Sequence, residues 1–257
     1  MNKIPVTILF LVCCLGFSQS SSAQSDLPLL PKNTDEIAYS LYLIGDAGDA
    51  VDKSAGVLES LQKRLQAENN KNTGVAFLGD NLYPNGLSKK NNKKRKEDED
   101  RLDIQIKAVK KFKGDIMFIP GNHDWDEQGH NGEKKVKRQE KYIQDKLNDK
   151  NVFLPSHGCP GPEVIKVYDD LVIIILDTQW WLHKHEKPKG EKDGCEVSNT
   201  DELMVAFKEA LKKNRSKNIV VLGHHPLISN GSHGGYYPVK DHIFPLAKLN
   251  KNLYIPL

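Results

Sequence analysis

The chain of 257 residues is 38% hydrophobic and 28% charged. A composition of this kind supports one large folded domain and excludes an intrinsically disordered protein. The formal net charge of +3 is the difference between 37 basic and 34 acidic residues, so the charges nearly balance. Because a nucleic-acid-binding face needs clustered basic residues, no nucleic-acid partner is expected beyond a substrate.

The first 23 residues differ from the rest and have the pattern of a secretory signal peptide. Lys3 lies near the start, an apolar run covers residues 8–16, and small residues lead up to Ala23, where cleavage is expected. The apolar run is shorter than the roughly 20 residues that span a bilayer, so no stable membrane anchor is predicted. We therefore expect the mature chain, residues 24–257, to be periplasmic or secreted.

The cysteines bear on processing and on redox state. A lipoprotein cleaved before Cys13 or Cys14 is the less favoured interpretation, because neither Val12 nor Cys13 is the small residue expected before such a cut. Cleavage at the signal-peptide site removes both and leaves Cys159 and Cys195. In an exported protein these two either form a disulfide, which we favour, or stay free thiols, since sequence does not show whether their Cα atoms come within bonding distance.

Beyond residue 36, apolar runs that end at polar turns alternate with segments of helical periodicity. Strands are predicted over residues 37–44, 74–78, 116–120 and 218–222. Residues 164–176 are predicted to be a hairpin that turns at Asp169 and Asp170. Helices are predicted over residues 51–69, 102–112, 132–150 and 201–214. The charged stretch 88–101 is predicted to be a solvated loop, because its acidic residues cancel its basic ones. Repeated strand–turn–helix units predict an α/β domain with the helices outside the sheet.

Polar residues that can bind metal ions follow four of the predicted strands. They are Asp46, Asp80 with Tyr83, Asn122 with His123, and His224. Each alone is explained as a turn residue or a helix cap. Four together favour a metal centre, because carboxylate, amide and imidazole ligands suit divalent or trivalent ions and α/β folds place their sites at strand ends.

Four motifs occur in a fixed order: Gly45-Asp-Ala-Gly48, Gly79-Asp-Asn-Leu-Tyr83, Gly121-Asn-His-Asp124 and Gly223-His-His-Pro226. From about residue 37 to residue 233 the chain resembles the calcineurin-like metallophosphoesterases. Within them it resembles the purple-acid-phosphatase-like branch, because Gly48 stands where many members have histidine and Tyr83 follows Asp80 by three residues. The resemblance implies an αββα fold, a β-sandwich flanked by helices.

The resemblance also implies a centre of two metal ions. Asp46 and Tyr83 would bind the first ion, Asn122 and His224 the second, and Asp80 would bridge them, as in sites that clamp an in-line displacement at phosphorus. Iron paired with iron, zinc or manganese is expected. A hydroxide generated on the metals would attack a small phosphorylated substrate, and a phosphomonoester is the favoured one.

Other residues receive roles from the same resemblance. His123 would contact the phosphate, and Asp124 would orient its other ring nitrogen. His233 lies where related phosphatases place a further substrate-facing histidine and is assigned the role of proton donor. His225 is either substrate-facing or a packing residue, and Asp177 is either a ligand or a cap.

The family closes its site with a later Gly-His-x-His motif, and no such motif follows His224. The His-x-His at residues 183–185 lies upstream and is expected on a charged loop outside the site. We interpret the chain as ending before the closing motif and expect it to bind metal poorly by itself. The alternatives are a phosphodiesterase of the same family and an inactive, truncated member that serves as a binding module.

Overall fold

The computed structural model describes residues 37–49, 51–68 and 71–230, without the side chains of residues 51–55. The predicted signal peptide and His233 lie outside the described residues. In chain order the helices and strands are β1 (Ser40–Ile44), α1 (Val51–Glu68), β2 (Thr73–Phe77), α2 (Arg95–Val109), β3 (Asp115–Phe118), α3 (Gly132–Leu147), β4 (Glu163–Tyr168), β5 (Leu171–Ile175), α4 (Thr178–Leu182), α5 (Thr200–Lys213) and β6 (Asn218–Leu222).

The first sheet consists of β1, β2 and β3, in that order and all parallel. In its register Ser40 pairs with Thr73 and Gly74 pairs with Asp115. The central strand β2 is buried along its whole length, which explains its apolar sequence. Because the strands are parallel, the loops that follow all three leave from the same edge of the sheet.

The second sheet has the order β4, β5, β6. Strands β4 and β5 are antiparallel and turn at Asp169 and Asp170, so the predicted hairpin is confirmed. Strand β6 is parallel to β5, as the crossover through α5 requires. The side chain of Asn199 accepts a hydrogen bond from the Glu202 backbone N–H at 3.0 Å and caps α5.

Two apolar clusters hold these layers together. One joins the facing sides of the two sheets and contains Ala76, Met117, Ile119, Leu154, Ile173, Ile175 and Leu222. The other packs helices against the first sheet and includes Val75 and Phe77, the strand neighbours of Ala76. Alternate residues of β2 thus serve opposite faces, as strand geometry dictates. The predicted mixed α/β architecture, with sheets flanked by helices, is confirmed.

The charged stretch departs from the prediction. Helix α2 begins at Arg95, so the second half of residues 88–101 is helical and not a solvated loop. Arg95 pairs with Glu99 at 2.7 Å, and Arg101 pairs with Glu97 at 2.7 Å. The acidic residues that follow the basic run therefore lie four residues from cations on one helix, where opposite charges favour helix formation.

Cys159 and Cys195 form a disulfide with a Cα–Cα distance of 5.5 Å, which confirms the favoured interpretation. Both cysteines are buried. Across the ranges that the structure describes, none of the helices combines the length and the apolar character needed to traverse a bilayer.

Candidate metal centre

The loops after β1 and β2 each contain an aspartate in an unusual backbone conformation. Asp46 has φ 55° and Asp80 has φ 51°, which is the left-handed region. Aspartate is one of the few residues other than glycine that adopts this conformation, and such strained positions concentrate at functional sites. The two loops are bonded to each other, because the Asp46 N–H donates to the Gly79 carbonyl at 3.2 Å and the Gly48 N–H to the Asp80 carbonyl at 2.9 Å.

Asp46, Asp80 and His224 each present a potential metal-ligating atom, and these atoms lie within 4.8 Å of one another. Asp46 is exposed, His224 is half-buried and Asp80 is only 3% exposed. His224 follows β6, so the second sheet places its imidazole beside the loops of the first. Two carboxylates and one imidazole form a donor set that fits a divalent or trivalent metal ion.

The His224 ring is oriented by a backbone carbonyl. Its Nδ1 lies 2.8 Å from the carbonyl oxygen of Leu78, which can only accept, so Nδ1 carries the ring proton. In the neutral ring the lone pair is then on Nε2. That atom lies 3.0 Å from Asn122 Oδ1 and 3.6 Å from Asp80 Oδ1. Several electron pairs therefore converge on one point, which is the arrangement a cation stabilises.

Tyr83 links the two aspartates. Its hydroxyl lies 2.9 Å from Asp46 Oδ1 and 2.9 Å from Asp80 Oδ2. Burial, followed by the charge of Asp80 and the hydrogen bonds to both carboxylates, raises the pKa of the Tyr83 phenol well above its usual range. Without a cation Tyr83 is therefore a neutral phenol, and a metal ion would have to displace its proton.

His123 lies on the open side of this group. Its backbone N–H donates to Asp80 Oδ1 at 2.9 Å, and its ring packs on Tyr83 with the centroids 4.3 Å apart. Nδ1 lies 2.6 Å from the carbonyl oxygen of Pro84, which places the proton on Nδ1. Nε2 lies 3.8 Å from Asp80 Oδ2, so the ring presents this atom to the centre.

The family model for calcineurin-like phosphoesterases matches residues 39–254. The chain belongs to the calcineurin-like phosphoesterase family. Membership implies metal-dependent hydrolysis of phosphate esters and a centre that holds two metal ions. None of the curated proteins matches the chain.

In this calcineurin-like phosphoesterase Asp124 has a different task from the predicted one. The His123 ring is bonded to Pro84, so the prediction that Asp124 orients that ring is wrong. The fully buried Asp124 carboxylate accepts from the Gly121 N–H at 2.8 Å, from Asn81 N and Nδ2 at 3.2 Å each, and from Gln139 Nε2 at 2.9 Å. Asp124 therefore links the loop after β2 to the loop after β3 through hydrogen bonds. Burial raises its pKa to about 6, against the opposing effect of these donors.

The sequence left two interpretations open for Asp177, a ligand or a cap, and two for His225, a substrate-facing or a packing residue. Asp177 caps α4, because its side chain accepts from the Trp180 N–H at 2.9 Å, and its other oxygen accepts from Trp125 Nε1 at 2.8 Å. Burial raises the pKa of Asp177 to about 7. His225 is anchored through Nδ1, which lies 2.8 Å from Thr178 Oγ1. Burial, and then the neighbouring His224, lower the pKa of the His225 ring.

Sequence reasoning missed some structural partners of the candidate centre. Asn81 lies inside a motif, so its position was visible, but its bonds to Asp124 and to the Ile119 carbonyl were not. Gln139 lies on α3 and carries no local signal. His183 does lie in the charged, irregular segment that follows α4, as expected, but the sequence did not show that this residue is only 3% exposed.

Proposed function

We propose that this protein is an exported phosphomonoesterase that acts on small phosphorylated substrates with two bound metal ions. The observation that carries the proposal is the convergence of ligand atoms from Asp46, Asp80 and His224 at the strand ends of a family member. The bound ions would lower the pKa of water and neutralise phosphate charge. The protein's own residues hold the ions and orient the substrate.

The surroundings of Asp80 support its role as the bridging ligand. Its Oδ2 accepts from the Tyr83 hydroxyl on the side of Asp46, whereas its Oδ1 lies 3.6 Å from His224 Nε2. The two oxygens of one carboxylate therefore face two different ligand groups. Asp46 and Tyr83 would hold one ion, and Asn122 and His224 would hold the other.

His123 is proposed to bind the phosphate. The bond to the Pro84 carbonyl fixes the ring, and the Asp80 carboxylate fixes the backbone of the same residue. Nε2 is thereby held at the centre without being tied to another protein atom at hydrogen-bond distance among the described residues. In the protonated state this nitrogen would donate to a phosphate oxygen or to the leaving group. His233 is proposed as a further proton donor and lies outside the described residues.

The preference for a monoester is supported by the resemblance to the purple-acid-phosphatase-like branch. Gly48 occupies the position of a family histidine, and a Cβ there would run into the backbone of Asn81 and Leu82. The site is therefore built without a side chain at this point. Tyr83 takes a place beside Asp46 instead, and its phenolate would suit ferric iron, with zinc, manganese or a second iron as the partner ion.

Export is supported by two features. Residues 1–23 have the pattern of a secretory signal peptide, and the Cys159–Cys195 disulfide is of the kind that persists in oxidising compartments.

Hydrolysis of p-nitrophenyl phosphate and of bis(p-nitrophenyl) phosphate, measured beside the bound metal content, tests the function. Because the chain is expected to bind metal poorly by itself, the assay contains excess metal. Under this condition we expect faster turnover of the monoester than of the diester, and loss of turnover and of bound metal in Asp80→Asn. Asp169→Asn, at the exposed hairpin tip, is the control and should behave as the parent. Faster turnover of the diester would favour the phosphodiesterase, whereas binding of phosphate without turnover of either ester would refute the enzymatic proposal.

A further inference from the structure

His183 is a buried histidine whose ring nitrogens are both without a hydrogen-bond partner among the described residues. The ring packs on Trp125, with the centroids 5.0 Å apart. Leaving a buried polar group unpaired destabilises the folded state, so native proteins rarely do so without a bound water or ion. The predicted centre does not involve this residue.

Two more histidines lie next to His183. The His185 ring is 5.7 Å from it and nearly perpendicular, at 74°. The His130 ring lies 3.8 Å from His185. Exposure increases along the series, because His183 is buried, His185 is half-buried and His130 is exposed. The three imidazoles therefore connect a buried nitrogen pair with solvent.

The environment favours the neutral form of His183. Burial lowers the pKa of its ring, and the nearby His185 and Lys187 lower it further. A neutral imidazole keeps the lone pair that a metal ion requires, so metal and protons compete for the same nitrogen.

We propose that His130, His183 and His185 form a second metal site, which binds a transition-metal ion of the zinc, nickel or copper type. It shares no residue with the strand-end centre. Three imidazoles without a carboxylate are a donor set for these ions and not for magnesium or calcium.

The ring geometry indicates which part of this site must move. Zn–N bonds of about 2.0–2.1 Å put the centroids of two imidazoles on one ion about 5 Å apart. His183 and His185, at 5.7 Å, are close to this spacing, whereas His130 and His185, at 3.8 Å, are too close. Among the described residues only Asp46, Asp80 and His224 bring ligand atoms within 4.8 Å of one another. Metal binding therefore requires rotation of the exposed His130 ring.

The test uses the full chain carrying Asp80→Asn, so that ions at the strand-end centre do not mask the second site. Zinc affinity is measured by competition with a coloured chelator, and the midpoint of thermal unfolding is recorded with and without zinc. We expect this parent to bind zinc and to unfold at a higher temperature in its presence. Adding His185→Ala should weaken zinc binding at least about 10-fold, since even the loss of an outer partner of a ligand costs this much.

Two further variants separate metal binding from packing. His183→Phe keeps a ring on Trp125 and removes both nitrogens, so it should fold, lose zinc binding and lose the thermal response to zinc. His157→Ala removes an exposed histidine elsewhere and should leave both quantities unchanged. If His183→Phe and His185→Ala bind zinc as tightly as the parent, or if the parent binds none, the proposal is wrong.

Discussion

Asp80 and Asp177 make an instructive pair, because both follow five-residue apolar strands and both are buried. Around Asp80 the ligand atoms of Asp46 and His224 converge on its carboxylate. Around Asp177 the two oxygens accept from the Trp180 N–H and the Trp125 indole N–H. Both carboxylates accept hydrogen bonds from the fold, Asp80 from the His123 N–H and the Tyr83 hydroxyl, but only Asp80 also faces the ligand atoms of Asp46 and His224.

The difference shows what distinguishes a candidate ligand from a structural acid. Burial and position after a strand are the same for both residues. What differs is the chemical character of the neighbouring atoms, since convergent lone pairs need a cation and convergent N–H groups need an anion.

The largest effects are expected for two variants with opposite outcomes, one that loses turnover and one that loses stability. Asp80→Asn should lower phosphatase turnover at least about 100-fold, because a lost ligand costs more than a lost outer partner. Its metal-free form should change in unfolding free energy by about 1 kcal/mol or less, since the amide oxygen retains one acceptor. Asp177→Asn should lose about 1–3 kcal/mol of stability, because its amide N–H₂ meets an N–H donor.

Chemical unfolding and initial rates on p-nitrophenyl phosphate measure these two outcomes. Asp169→Asn, which changes an exposed carboxylate at the hairpin tip, is the control and should behave as the parent in both measurements. If Asp177→Asn stayed fully folded and lost turnover as Asp80→Asn does, the assignment of Asp177 as a structural acid and not a ligand would be wrong.

A smaller effect is expected for Trp125→Phe, which removes the indole donor of Asp177 and leaves a void in the core. The cost in unfolding free energy should be about 1–3 kcal/mol. Because the lost hydrogen bond stabilises the ionised carboxylate, the cost should be larger at pH 8 than at pH 5. Urea unfolding at both pH values checks this, and an equal cost at both would mean that Asp177 does not depend on the indole.

The smallest effect is the pH dependence that Asp177 itself contributes. Its folded-state pKa of about 7 lies above the ordinary value of 3.8. A raised pKa means that the folded state binds the proton more tightly, so the contribution to stability is complete below pH 4 and is lost as the pH rises towards 7. The stability advantage of the parent over Asp177→Asn should therefore shrink, by on the order of 1 kcal/mol or more, between pH 5 and pH 8. Paired denaturation curves measure it, and a constant difference would contradict the raised pKa.

Local pattern was sufficient for much of the fold. Strand β6 has the predicted bounds, 218–222, α1 begins at the predicted residue 51, and α5 is shifted by one residue at each end. These segments have a clear apolar period, and a period is a property of neighbouring residues alone. Helix α2 begins seven residues before its predicted start at residue 102. Its first turns have no apolar period and are supported by ion pairs between residues four apart.

The chain by itself also determined which residue types follow the strands, because Asp46, Asp80, Asn122 and His224 all stand directly behind apolar runs. Only the tertiary structure decided what each one meets. The second sheet brings His224 to loops that lie far from it in sequence. Asp124 accepts four hydrogen bonds, from Gly121, Asn81 and Gln139, and does not contact the His123 ring, which is bonded to Pro84. His183 is buried against Trp125. These outcomes depend on contacts between distant segments, and such contacts leave no period or spacing in the sequence from which they could be predicted.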